Sequence, residues 1–177
     1  MSLQPPLPGF ASRPGTDLTS AADLRHYPNV PGSTLARHGR LIGRAGEDLV
    51  ASILRRHGFI VLDLDDHSAD KLITVGNSIC GLQIKTVTHP DMSGSWRVQA
   101  RKGCSRGAGR RGYAVADFDL LAIAVLPMNV VLFTSDRSEC HAIRPCEIAG
   151  LRADPMASLR QALCTIGLDL CPAPPAP

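Results

Sequence analysis

At 177 residues, with 44% apolar and only 4% aromatic content, the chain suits a single domain whose core is built from Leu, Ile, Val and Ala. It holds no run of about 18 apolar residues, which argues against a membrane-spanning helix, and its first residues, MSLQPPLPGF, lack the basic start and apolar run of a secretory leader. A net charge of +3 and a pI near 8.6 are too mild to specify a polyanion partner, so charge has to be read locally.

Residues 1–34 scatter Pro5, Pro6, Pro8, Pro14, Pro28 and Pro31 among Gly, Ser and Thr and read as a flexible arm with a short ordered piece around 19–24. One α/β domain is expected over 35–170, and 171–177 (CPAPPAP) reads as a Pro-rich tail. Ile42, Leu49, Val50, Ile53 and Leu54 recur at three- and four-residue steps, which predicts an amphipathic helix over 35–57 stopped by Gly58. FIVLDL at 59–64 predicts a strand, followed by a polar turn, DDHSAD. Residues 71–75 and 82–88 predict two strands joined around Gly76 and Asn77 as a hairpin. Further strands are expected at 95–100, 119–126 and 130–134, the last two separated by Pro127-Met128-Asn129. A closing helix is expected over 155–168. The order implies an α/β fold with a mixed central sheet flanked by helices.

Cys80, Cys104, Cys140, Cys146, Cys164 and Cys171 form no C-x-x-C pair, so they read as small core residues in a reducing cytoplasm rather than as zinc ligands. His67 sits among Asp65, Asp66 and Asp70, but an acidic turn of this kind reads as solvent-exposed. Trp96 and Tyr113 read as core residues.

Four polar residues stand apart from this scaffold. Glu47 lies seven residues before Leu54 and so borders the apolar stripe of its helix. Asp70 opens the second strand. Gln83 and Lys85 share one face of the third, with Leu82 and Ile84 on the other. A hairpin would bring Asp70 near the Gln83/Lys85 face, and a helix packed there would deliver Glu47. Phosphodiester hydrolysis uses a hard cation to polarise phosphate and activate water. Mg²⁺ (or Mn²⁺) takes oxygen ligands, one or two of them carboxylates. Asp70 is the first candidate ligand, Glu47 the next, followed by the Gln83 amide oxygen and the Ile84 carbonyl. Lys85 would hold the phosphate or the attacking water.

The segment from Met92 to Ala116 has no acidic residue yet carries Arg97, Arg101, Lys102, Arg106, Arg110 and Arg111. Its glycine-rich stretch KGCSRGAGRRG is a pliable polycation, suited to a phosphate backbone.

The stretch GEDLVASILRRHGFIVLDLDDHSADKLITVGNSICGLQIKT resembles the PD-(D/E)XK nuclease superfamily, in its branch with Q-x-K in place of (D/E)-x-K. It is similar there to group I intron homing endonucleases, some restriction enzymes and archaeal Holliday-junction resolvases. The later YAVADFDLLAIAV resembles the closing strands, and the likeness spans roughly residues 39–135. It implies a restriction-endonuclease-like core in which Asp70, Gln83 and Lys85 fill the motif and Glu47 the helix position. Ala69 stands where the superfamily's name has Pro, and Gln83 replaces an acid. The implied activity is divalent-metal-dependent cleavage of duplex or branched DNA by a homo-oligomer, since cutting both strands with one site per chain needs two chains. Two rival readings are a catalytically silent nucleic-acid-binding module on the same fold and an α/β protein-interaction domain.

Overall fold

The computed structural model describes residues 22–64, 69–103 and 110–168, without the side chains of Ala22, Lys102, Gly103, Arg110 and Arg111. Expectations for the arm before residue 22, the turn at 65–68, the part of the basic loop at 104–109 and the tail from 169 fall outside these residues. After Gly39 the chain divides into two compact units.

In the first unit a 3₁₀ turn, Ala22–His26, is followed by helix α1, Gly32–Arg37. Asp23 accepts from Arg37 (3.3 Å) and meets the buried His38 ring at 2.8 Å. The helix expected over 35–57 is therefore two. His38 leaves helical geometry (φ −100°, ψ 24°), and Gly39, the poorest helix former after Pro, opens α2, Gly39–Arg56.

In the second unit α2 buries Gly46, Val50, Ala51, Ile53 and Leu54 along one stripe. Gly58, at φ +84°, ends it. The remaining elements are β1 (Val61–Asp63), β2 (Lys71–Val75), β3 (Ser78–Val87), β4 (Trp96–Gln99), β5 (Arg101–Gly103), β6 (Arg110–Gly112), β7 (Leu120–Val125), β8 (Val130–Thr134), β9 (Cys140–Ile143), α3 (Pro145–Ala153) and α4 (Ala157–Thr165). The main sheet has the order β1-β2-β3-β7-β8. All its neighbours are antiparallel except β3 and β7, which run parallel. Gly76 takes φ +58° at the first position of the β2–β3 turn, where a side chain would strain the backbone.

β7 is buried at every position because both its faces are covered. Leu120, Ala122 and Ala124 pack with Val50, Leu54, Leu159 and Leu163 of α2 and α4. Leu121, Ile123 and Val125 pack with Trp96, Phe118 and Ile148 on the other side. Truncating Leu121 or Ile123 to Ala would cost about 2–5 kcal/mol. The expected mixed α/β sheet flanked by helices is present. Neither β9, which pairs with β4, nor α3 was expected. Arg101–Gly103 and Arg110–Gly112, in a segment expected as a loop, pair as an antiparallel ribbon with Lys102 opposite Arg111. Among the described residues no helix is long and apolar enough to cross a membrane.

Candidate active site

The last rung between β2 and β3 is at Asp70, whose N–H donates to the Leu82 carbonyl at 2.8 Å. Beyond it β3 continues through Gln83–Val87 beside β7. The next β3 donor on the open side, Ile84 N–H, is taken by Asp70 Oδ2 at 2.6 Å. The carboxylate thus ends the ladder where a strand carbonyl would have continued it. A strand residue turns its N–H and C=O to the same neighbour, so the Ile84 carbonyl faces this open edge too. Gln83 Nε2 donates to Asp70 Oδ2 at 2.5 Å and to the Ile84 carbonyl at 3.3 Å. The amide nitrogen, not the oxygen expected as a ligand, is turned to Asp70. Offering oxygen there requires the amide to rotate by half a turn.

Glu47 reaches this region because α2 presses onto β3. A Cβ at Gly46 would lie 1.9 Å from Thr86 Oγ1, so only glycine fits there, and Thr86 Oγ1 donates to the Gly43 carbonyl at 3.5 Å. Burial first, and then the Asp70 charge, push the Glu47 carboxyl above the ordinary range, against the pull of Lys71 and Arg44. Burial likewise raises Asp70, against the Ile84 N–H, the charges of Lys85 and Lys71, and the Gln83 amide. Lys85 is half-buried beside the Tyr113 ring, its Nζ 5.3 Å from the centroid. No carboxylate among the described residues lies within ion-pair distance of it. The structure therefore gathers Glu47, Asp70, Gln83, Ile84 and Lys85 at one end of the β2–β3 hairpin.

Motif reading passed over the residue at the centre of the charges. Lys71 is only 1% exposed. It donates to Asp63 Oδ1, and its Nζ is 4.0 Å from Glu47 Oε2. The Lys71 bond holds the Asp63 carboxyl below the ordinary range. Arg44 approaches the same two acids, at 3.2 Å from Glu47 and 3.8 Å from Asp63. The alternation of β2 held the signal: counting back in twos from Val75 and Ile73 puts Lys71 on the buried face.

The basic segment is less uniform than its sequence. Arg97 pairs with Asp91, and Arg101 with Glu139 through Nε at 3.0 Å. Lys102, Arg110 and Arg111 lie on the β5–β6 ribbon, and Arg106 falls outside the described residues. Trp96 is buried, and Tyr113 packs edge-on against Phe118. Cys80 is buried, its thiol raised to about 12 mainly by burial, while Cys140, Cys146 and Cys164 are exposed free thiols. That corrects the expectation of core cysteines for these three; Cys104 and Cys171 lie outside the described residues.

Among the described residues no three His, Cys, Asp or Glu side chains are grouped to hold a metal unaided. The donors at the open edge are one carboxylate, one backbone carbonyl and one amide, with Glu47 near by. This set suits Mg²⁺, which keeps several waters and shares its sphere with substrate oxygens.

A mixed five-stranded sheet with a helix laid across its central hairpin is the class of fold that results. The bacterial homing endonuclease I-Ssp6803I has a similar fold: the two superpose with a TM-score of 0.53 at 18% sequence identity, over 59% of this chain and 76% of that one. No protein-family profile and no curated protein sequence matches this chain.

Proposed function

We propose that this chain is a divalent-metal-dependent endodeoxyribonuclease of the PD-(D/E)XK superfamily, acting on duplex or branched DNA as a homo-oligomer. The observation that carries this reading is the Asp70 carboxylate fastened to Ile84 N–H at the parting of β2 and β3, with Lys85 beside it. Asp70, the Ile84 carbonyl and a rotated Gln83 amide would hold Mg²⁺ or Mn²⁺. Such an ion would supply Lewis-acid chemistry to the phosphate and to a water held between these residues. Lys85, with no carboxylate partner among the described residues, meets the negative charge that grows on the phosphate. Tyr113 limits where its ammonium can go. The basic side chains of the segment that holds the β5–β6 ribbon contact the backbone of the duplex.

The Gln83 N–H on Asp70 favours the second reading, a nucleic-acid-binding module without catalysis, because an unrotated amide offers no oxygen to an ion. Incubation with supercoiled plasmid, a four-way junction and single-stranded RNA, in Mg²⁺ or Mn²⁺ and in EDTA, separates the two. Cleavage of DNA that EDTA, Asp70→Asn and Lys85→Ala each abolish is expected. Salt-sensitive binding without cleavage in either metal selects the second reading.

A further inference from the structure

Glu47 and Asp70 are neighbouring carboxylates with opposite surroundings. Glu47 belongs to a closed ring of alternating charge. Arg44 lies 3.2 Å from it, Lys71 lies 4.0 Å from it, and both cations also reach Asp63. A single atom, Glu47 Oε2, faces both cations. Lys71 is 1% exposed and cannot swing out to water without unpacking β2 from α2, so the positive charge beside Glu47 is built in. Asp70, in contrast, has no cation within ion-pair distance among the described residues. Its Oδ2 is bonded to two neutral N–H donors, and its Oδ1 accepts no hydrogen bond from the described residues.

A metal ion at Glu47 would add positive charge where two cations already stand and would compete with a lysine that has no other place to go. At Asp70 it would meet a carboxylate that no cation among the described residues pairs within ion-pair distance. We propose that the Lys71 ammonium takes the place of a second metal ion at Glu47 and Asp63, so that this site binds a single divalent ion, at Asp70. Lys71 is then a positioning residue. It keeps Glu47 and Asp63 aligned between α2, β1 and β2, and Glu47 acts as a charge near the ion instead of a ligand to it. This rests on the endonuclease reading, which supplies the ion.

The test is a Mn²⁺ titration of the full chain, read by electron paramagnetic resonance as ions bound per chain, with no DNA present. The wild-type protein is expected to bind one ion. Asp70→Asn loses it, and Glu47→Gln keeps it with little change in affinity. Lys71→Met preserves the volume of the buried stem, leaves Glu47 and Asp63 facing each other, and gains a second, weaker ion. Two ions in the wild type overturn the proposal, as does loss of binding in Glu47→Gln equal to that in Asp70→Asn. A folded Lys71→Met protein that still binds only one ion also overturns it. The Glu47→Gln titration decides the matter where Lys71→Met does not fold. A wild-type chain that binds no Mn²⁺ removes the endonuclease reading, and this inference with it, whereas the other contrary results leave the endonuclease reading standing.

Discussion

Two glycines three residues apart on α2 should respond to alanine with opposite signs. At Gly43 an added methyl meets nothing within 4 Å, and the helix gains the difference in propensity, about 0.8–1.0 kcal/mol. At Gly46 the same methyl lies 1.9 Å from Thr86 Oγ1 and 2.9 Å from Thr86 Cβ and Cγ2, where ordinary contact begins at 3.4 Å. Rotating the threonine moves Oγ1 away but leaves Cβ, so α2 and β3 must separate. Overpacking of this kind costs about 1–3 kcal/mol. Set against the propensity gain, Gly46→Ala should lose up to about 2 kcal/mol, and Thr86→Gly should return part of the loss. Urea unfolding followed through Trp96, the one tryptophan of the chain, gives the midpoints. Activity should fall more steeply than stability. Glu47 is the next residue, and a displacement of about 1 Å near the chemistry can lower the rate about 10²-fold. A Gly46→Ala protein as stable as Gly43→Ala would refute the close approach of helix and strand.

Burial raises the carboxyls of Asp70 and Glu47, so each holds its proton more readily in the folded chain and subtracts stability as pH rises from its unfolded to its folded value. Asp70→Asn, whose amide oxygen can still accept from Ile84 N–H, should therefore melt higher than wild type near neutral pH in EDTA. The gap should close toward about pH 3, and melting curves across that range that show the Asn variant less stable at neutral pH contradict the assignment. Gln83→Glu replaces the N–H donor to Asp70 with a second carboxylate, so it should melt lower than wild type in EDTA and recover in Mn²⁺. Gln83→Leu should not respond to the metal, and equal metal responses in the two variants would count against Gln83 as a ligand. Among the basic residues, neutralising Lys102, Arg106, Arg110 and Arg111 should flatten the plot of log affinity against log salt by about 0.9 per lost phosphate contact. Arg97 and Arg101, paired with Asp91 and Glu139, should contribute less, and binding assays in Ca²⁺ that give them an equal share would contradict this.

Local patterns made the sheet readable. The bounds of β2 and β8 came from β-branched runs with clear turns, and the Gly76–Asn77 hairpin from its turn residues. β9 was not readable, because CHAI has four residues and owes its strand form to β4, more than 40 residues earlier. α3 shows little amphipathic pattern and fully buries only Ile148. Its signal was the start, Pro145 followed by Glu147, whose carboxylate accepts from Arg144 N–H at 2.8 Å. The meeting of Glu47, Asp70, Gln83 and Lys85 was readable from motif order. The charge ring was not, since register sets Asp63 opposite Lys71 on different strands and Arg44 reaches Asp63 from α2.

The parting of β2 from β3 also bears on the order in which the protein assembles. Asp70 and Ile84 are separated by 14 residues and a tight turn, whereas Gly81 and Asp119, which open the β3–β7 pairing, are 38 apart. Loop closure becomes less favourable with length, and a hairpin forms in about 1–10 μs, well ahead of most long-range parallel pairing. Asp70, Gln83, Ile84 and Lys85 therefore meet as neighbours along the chain before β7 arrives to bury the other edge of β3. The Asp70–Ile84 contact is a local feature of the nascent chain, and the surrounding protein completes its setting by enclosing one side.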